Sequence, residues 1–211
     1  MNEEKLRELI RAIISEENAD NLAIPIGVSN HHIHLTPEDF AILFPGQEIT
    51  MKSKLKQVAD FAANQTVTVV GPKGEIRNVR LLGPFRAHSQ IELAKSEARQ
   101  IGVEAPIRLS GDLDGTPSVL VKTPFAELMI QGVIVAKRHI HMSLDDAKTL
   151  DVKLGDSVSV EIKTEQRTTL FKDVIARPRH DFLLEMHLDT DEANAANIGK
   201  NSVAHLVKQE E

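Results

Sequence analysis

Two histidine pairs carry the chemistry of this sequence: His32-Ile33-His34 and His139-Ile140-His141, spaced by 107 residues (139 − 32). They use four of the nine histidines in a chain of 211 residues. Alternate residues of an extended strand point to one side, so each pair offers two imidazoles to a single point while its central isoleucine turns toward the core. Imidazole suits zinc, copper, iron or nickel, and paired motifs of this kind imply two mononuclear sites or one dinuclear site. The competing reading is that the histidines pack as half-buried polar side chains. Recurrence of the whole phrase weighs against it: His32 to Thr36 and His139 to Ser143 match in pattern, and each runs into an acidic pair, Glu38-Asp39 or Asp145-Asp146. With no cysteine in the chain, a metal would be held by imidazole, carboxylate and solvent, and no cysteine nucleophile or disulfide exists.

Two further segments could complete such sites. If Gly83 to Leu93 is a strand, Arg86, His88, Gln90 and Glu92 share one face. That alternation is what a strand with one face in solvent shows, and Glu92 gains interest because two histidine pairs leave metal positions to fill. In Leu184 to Asn194, Glu185, His187 and Asp189 alternate with Met186 and Leu188. His187 is then a candidate third imidazole, with the neighbouring carboxylates orienting it; the plain alternative is a polar strand face followed by a helix starting at Thr190 or Asp191. His180 and His205 have no such context and are expected at the surface.

The elements that must position these residues are mostly strands. Thr66 to Val70, the turn Gly71-Pro72-Lys73-Gly74 and Ile76 to Leu82 predict a hairpin. Further short strands are predicted at 119–121, 128–130, 133–135, 158–162 and 169–171, a pattern of small barrels or a sandwich. After each histidine pair, Thr36 or Ser143 stands three residues before an acid, with Pro37 at the first helical position, which predicts a capped short helix. Gly46 and Gly155 mark the turns that follow. The repeated unit is therefore strand, capped helix, turn, strand. Between His34 and the second pair lie 104 residues (138 − 34), whereas 70 follow His141 (211 − 141). Two equal barrels cannot be consecutive on those lengths, so the second is expected to borrow the strand around Ile24 to Val28. The expected division is residues 1–20, 21–136 and 137–211. At the N-terminus, Leu6, Leu9, Ile10, Ile13 and Ile14 form one face of an amphipathic helix, capped by Asn2 and followed by a polar linker; it either docks on its own domain or serves a partner surface.

Composition narrows the function. A net charge of −6 with seven Phe and no Trp or Tyr offers neither a basic groove nor a stacking platform for nucleic acid. The acidic N-terminus is unlike a secretory signal and no apolar run reaches membrane-spanning length, so a soluble intracellular protein is expected.

Taken together, the phrases VSNHHIHL, QTVTVVGPKG, NVRLLGPFR, SQIEL, Gly115 to Pro117, AKRHIHM and EMHLDTDEANAAN, in this order over about residues 24–198, resemble one family. It is that of the phosphate propanoyltransferases, phosphotransacylases of the propanediol-utilisation type found in bacterial microcompartments. The resemblance implies a mainly β fold with short helices: two related, interlaced small β-barrels around a dinuclear zinc site at their junction. It implies that His32, His34 and Glu92 hold one zinc ion, that His139, His141 and His187 hold the second, and that Arg86 is the phosphate-binding catalytic residue. It implies conversion of acyl-coenzyme A, propanoyl or acetyl, and phosphate into acyl phosphate and coenzyme A, reversibly. Direct attack by phosphate needs no protein nucleophile, and the mixed ligand set would face phosphate while the all-imidazole set faces the coenzyme A sulfur. The resemblance also implies a homo-oligomer in the bacterial cytoplasm, inside a microcompartment, with residues 3–15 as an encapsulation peptide for shell or cargo proteins. One departure stands in the first motif, where His31 occupies a position the family usually gives to Arg; the segment after Glu92 differs too. The rival readings are a two-metal hydrolase, a double cupin, which the capped helix at Pro37 disfavours, and a non-catalytic shell adaptor.

Overall fold

The computed structural model describes residues 22–207 and, apart from these, Lys5. Apart from Lys5, the amphipathic helix expected over residues 3–15 lies outside the described residues. Two compact units divide the described residues: Val28–Lys137 with Asp189–Glu192, and a second in which residues 22–27 join Arg138–Leu188 and residues 193–207.

In the unit built on Val28–Lys137, the strands are β2 (His32–His34), β3 (Met51–Lys54), β4 (Phe61–Gly71), β5 (Gly74–Gly83), β6 (Gln90–Glu92), β7 (Ile107–Arg108), β8 (Ser118–Lys122), β9 (Glu127–Gln131) and β10 (Val133–Ala136). They form an open, barrel-like sheet in the order β7-β10-β6-β2-β5-β4-β8-β9, with β3 added to β4. The β4–β5 hairpin closes at Gly71 opposite Gly74, where the sequence predicted it. Mostly β-branched residues form its buried face: Val67, Val69, Ile76 and Val79, with Leu81, join Ile33 and Ile91 in one apolar core. The helices α1 (Pro37–Leu43) and α2 (Lys95–Gln100) cap this sheet, and α1 buries Phe40 and Leu43.

The other unit is a closed barrel in the order β1-β14-β11-β13-β12-β15. Its strands are β1 (Ile24–Ser29), β11 (His139–Met142), β12 (Ser157–Lys163), β13 (Thr168–Pro178), β14 (Glu185–Asp189) and β15 (Val203–Val207), and α3 (Leu144–Thr149) and α4 (Thr190–Ala195) complete the set. Ile24, Ile140, Met142, Met186 and Leu188 share its core. The chain is thus mainly β with a few short helices.

A single repeat accounts for both units. Each histidine strand lies parallel to the second strand of a long hairpin, β2 to β5 and β11 to β13, and antiparallel to a short strand, β6 or β14. Each then runs into a short helix capped by Thr36 or Ser143. The turns beyond use Gly46 at φ 72° and Gly155 at φ 88°, where a side chain would strain the backbone.

One element departs from expectation. Residues 83–93 do not form a continuous strand: Gly83 ends β5, only Gln90–Glu92 pair after it, and Pro84 to Ser89 are irregular after a cis Gly83–Pro84 bond. Polar alternation there mimicked a strand, but the segment is a turn that delivers Arg86 and then enters β6. The solvent-facing reading also fails for Gln90, which is 1% exposed, and Glu92, at 9%. His88 remains exposed and takes no part in a site.

Candidate metal centres

Register brings the candidate ligands together. Across β2 and β6, His32 stands opposite Glu92, and across β11 and β14, His139 stands opposite His187. Glu92 and His187 therefore occupy the same place in the repeat. Opposed residues in neighbouring strands have side chains within about 5 Å, so each pairing brings a third donor to a histidine pair. The donor atoms of His32, His34 and Glu92 lie within 4.8 Å of one another, and so do those of His139, His141 and His187. Ile33 and Ile140, at 0% exposure, anchor the two motif strands from behind.

In the mixed set, His32 Nε2 lies 3.4 Å from the Glu92 carboxylate, and its Nδ1 is tied to the Asn30 carbonyl at 2.8 Å. Burial alone would lower the His32 pKa, but Glu92 and the Asn30 carbonyl outweigh it and the net shift is upward. Burial alone would raise the Glu92 pKa, yet His32, His34 and Arg86 hold its carboxyl far below the usual carboxylate range. His34 is pushed well below its ordinary value by burial, reinforced by His32 and Arg86.

Arg86 is fixed at both ends. Its backbone N–H donates to the Leu35 carbonyl at 3.0 Å, directly after the histidine pair, and Nη1 donates to Ser110 Oγ at 2.8 Å. Gln90 Nε2 donates to the same oxygen at 2.8 Å and also to Glu92, while its carbonyl accepts the Gly111 N–H at 2.7 Å. A buried amide with all its groups engaged holds Arg86 and Glu92 in one network. The sequence did not single out Gln90 as a site residue although it alternates with Glu92; Ser110 lies in an irregular loop, and no pattern marks it.

His31 lies outside this set, and its Nδ1 contacts Glu97 at 2.6 Å. Glu97 also accepts the Ala94 N–H at the start of α2. Burial would raise the Glu97 pKa, but His31 and that N–H lower it on balance. A depressed carboxylate stabilises the fold fully above its unfolded value, near 4.5, and loses that contribution as the pH falls. The melting temperature of Glu97→Gln is therefore expected to fall below that of the parent at pH 7, and the gap to narrow as the pH is lowered below about 4.5 in thermal scans. A gap that does not narrow would contradict this.

In the imidazole set, the rings of His139 and His187 stack at 5.0 Å and that of His141 lies 4.7 Å from each. Burial, then the charges of His139, His187, Arg177 and Arg179, push the His141 pKa down to about 2. Glu185 comes within 3.2 Å of His187 Nε2 but off the line a hydrogen bond requires, so that nitrogen has no hydrogen-bond partner. The expectation that Asp189 orients His187 is corrected: Asp189 accepts the Glu192 N–H at 2.8 Å and so caps α4. His180 is exposed and His205 half-buried.

The residues fit a transition-metal ion. Buried polar nitrogens without partners are rare in a folded chain, yet His34 Nδ1, both nitrogens of His141 and His187 Nε2 are such atoms. Neutral imidazoles aimed at one another gain nothing from the arrangement without an ion. Tetrahedral zinc with bonds of about 2.0–2.1 Å sets its ligand atoms roughly 3.4 Å apart, and three protein donors leave one position open, as catalytic sites do.

Fold and site together define a two-unit β protein that carries, in repeated strands, two donor sets suited to zinc, one of them coupled to a half-buried arginine. A sequence profile of phosphate propanoyltransferases matches residues 25–199. The chain is 66% identical over 200 residues to the phosphate propanoyltransferase of Limosilactobacillus reuteri, covering 94% of this chain and 93% of that one. It is 62% identical to that of Levilactobacillus brevis, covering 99% of this chain and 100% of the other, and 51% identical to that of Salmonella typhimurium, covering 98% and 99%. The chain belongs to the phosphate propanoyltransferase family, a family of phosphotransacylases. No helix among the described residues is long and apolar enough to cross a membrane.

Proposed function

We propose that the chain transfers an acyl group reversibly between coenzyme A and phosphate, with propanoyl- and acetyl-coenzyme A as substrates and a zinc ion in each donor set. His32, His34 and Glu92 would hold one ion, and His139, His141 and His187 the other, both serving one turnover. The observation that carries this reading is the coupling of Arg86 to the mixed donor set in a chain that matches the family over residues 25–199. Bound there, zinc would supply positive charge to polarise an acyl carbonyl and a soft partner for a thiolate.

The chain's own residues do the rest. Arg86 presents a planar cation able to grip two phosphate oxygens and aim a third at the thioester carbon. Its hydrogen bond to Ser110 restricts that fork before phosphate arrives, so less freedom is lost on binding. A phosphate oxygen bonds to the carbonyl carbon, the carbon–sulfur bond breaks, and coenzyme A leaves as the thiolate. The chain has no cysteine, and in this reading no acyl-enzyme forms.

Release of coenzyme A from propanoyl- and acetyl-coenzyme A, measured with and without phosphate beside a metal count, tests the proposal. Release independent of phosphate would favour a two-metal hydrolase, and no release with no bound metal a shell adaptor. A pre-steady-state burst of coenzyme A would reveal an acyl-enzyme. We also propose residues 3–15 as an encapsulation peptide, on the amphipathic spacing from Leu6 to Ile14. Removing residues 1–20 is expected to abolish recruitment to microcompartments while kcat is retained; unchanged recruitment of the shortened chain, scored by fluorescence, would overturn it.

A further inference from the structure

The repeat that pairs Glu92 with His187 also pairs two arginines. Arg86 donates its backbone N–H to the Leu35 carbonyl, and Arg179 donates its own to the Met142 carbonyl, each at 3.0 Å and each just after a histidine pair. Each follows the long strand parallel to its motif strand, β5 or β13. From there the copies diverge. In the first, four positions separate Arg86 from Gln90, the residue opposite His34 (90 − 86); in the second, six separate Arg179 from Glu185, the residue opposite His141 (185 − 179). The longer turn places Phe182 against the site: its ring stacks on His141 at 3.9 Å and 25°. Arg179 covers the other side of that ring at 3.7 Å, and the Asp181 carboxylate grips the guanidinium through Nε and Nη2.

His141 needs such a support. A ligating histidine is ordinarily oriented by a hydrogen bond from the ring nitrogen that does not bind metal, as His32 is by Asn30. Neither nitrogen of His141 has a partner. Its ring is fixed by a face instead of an edge. We infer that Phe182, clamped between Arg179 and His141, is the positioning residue that aims His141 into its donor set, and that Arg179 serves this clamp where its counterpart Arg86 serves substrate. The inference rests on the metal reading above and adds to it a device that replaces the missing hydrogen bond.

The test measures zinc affinity of the full-length chain by competition with a chromophoric chelator, in a His32→Ala/His34→Ala background that isolates the imidazole set. Phe182→Leu, which keeps volume without an aromatic face, is expected to weaken zinc binding by about 10- to 100-fold and to reduce the visible absorption of the cobalt-substituted protein. Phe182→Tyr is expected to restore both, and Arg179→Gln to give an intermediate loss. Circular dichroism identifies any variant that fails to fold, for which Phe182→Met replaces Phe182→Leu. A folded Phe182→Leu that binds zinc as tightly as its parent and keeps the cobalt spectrum overturns the clamp. A background protein that takes up no zinc at all overturns the metal reading of this set instead, so the two failures are separable.

Discussion

Replacing Arg86 by alanine is expected to lower kcat/KM for phosphate by about 10²- to 10³-fold, the usual cost of losing one preorganised donor to a developing charge. Zinc content should stay at the parental value, because Arg86 donates to Ser110 and the Leu35 carbonyl acceptor is met by its backbone, which alanine keeps. Arg86→Lys retains charge but not the planar fork, so partial recovery, weighted toward KM, is expected. The arginine also acts through its field. It helps to hold Glu92 ionised and His34 neutral, the forms a metal requires. Its removal relaxes the push on His34 and the pull on Glu92 together, both toward weaker metal binding, while loss of a positive charge near a bound cation acts the other way. Steady-state kinetics with phosphate varied, next to metal analysis of the same preparation, provide the check. Loss of metal from Arg86→Ala would show that the guanidinium is structural and that phosphate is held elsewhere.

How far this arrangement could be read from sequence depends on the range of the forces involved. Period-two alternation and side-chain caps are local, and the histidine strands and the helices capped by Thr36 and Ser143 stood out for that reason. The third ligands were visible as alternating polar residues, but their registers opposite His32 and His139 are long-range facts set by packing of Ile33 on Ile91 and of Ile140 on Met186. Where alternation had no partner strand, it misled. From Pro84 to Ser89 it arises in an irregular segment whose backbone turns to donate from Arg86 to Leu35. Asp189 shared the polar face of His187, yet an orphan N–H at the start of α4 claimed its carboxylate. Ser110 and Phe182 lie in turns and contact residues far along the chain or on another element, so composition offers no trace of them. The repeat and the use of β1 by the second barrel were expected from the motifs and the chain lengths, but the place of β1 between β14 and β15 becomes clear only once strand order is known.

Glu92 and His187 share a repeat position but not a charge, and that difference makes the second large prediction. Glu92→Gln keeps the shape and the contact to Gln90 while removing the anion, and a neutral amide is a far weaker zinc ligand. One zinc equivalent is expected to be lost. Withdrawal of a metal's charge stabilisation, worth several kcal/mol, implies a fall in kcat of about 10²-fold or more. His32 loses its partner as well, so burial then governs its pKa and draws it down from its raised value. Glu92→His separates ligand count from ligand charge: it makes the first set all-imidazole, as the second already is with His187 opposite His139. Zinc should be retained, with one more net positive charge at the site. In the proposed division of roles the mixed set faces phosphate and the imidazole set faces sulfur. The KM for phosphate is then expected to shift by about tenfold while that for acyl-coenzyme A stays within about twofold, an asymmetry that uniform damage to the site cannot produce. The converse split, with acyl-coenzyme A affected and phosphate not, would reverse the assignment of the two sets. The carboxylate would then stand beside the leaving thiolate, and the all-imidazole set, with its higher net positive charge, beside the phosphate dianion.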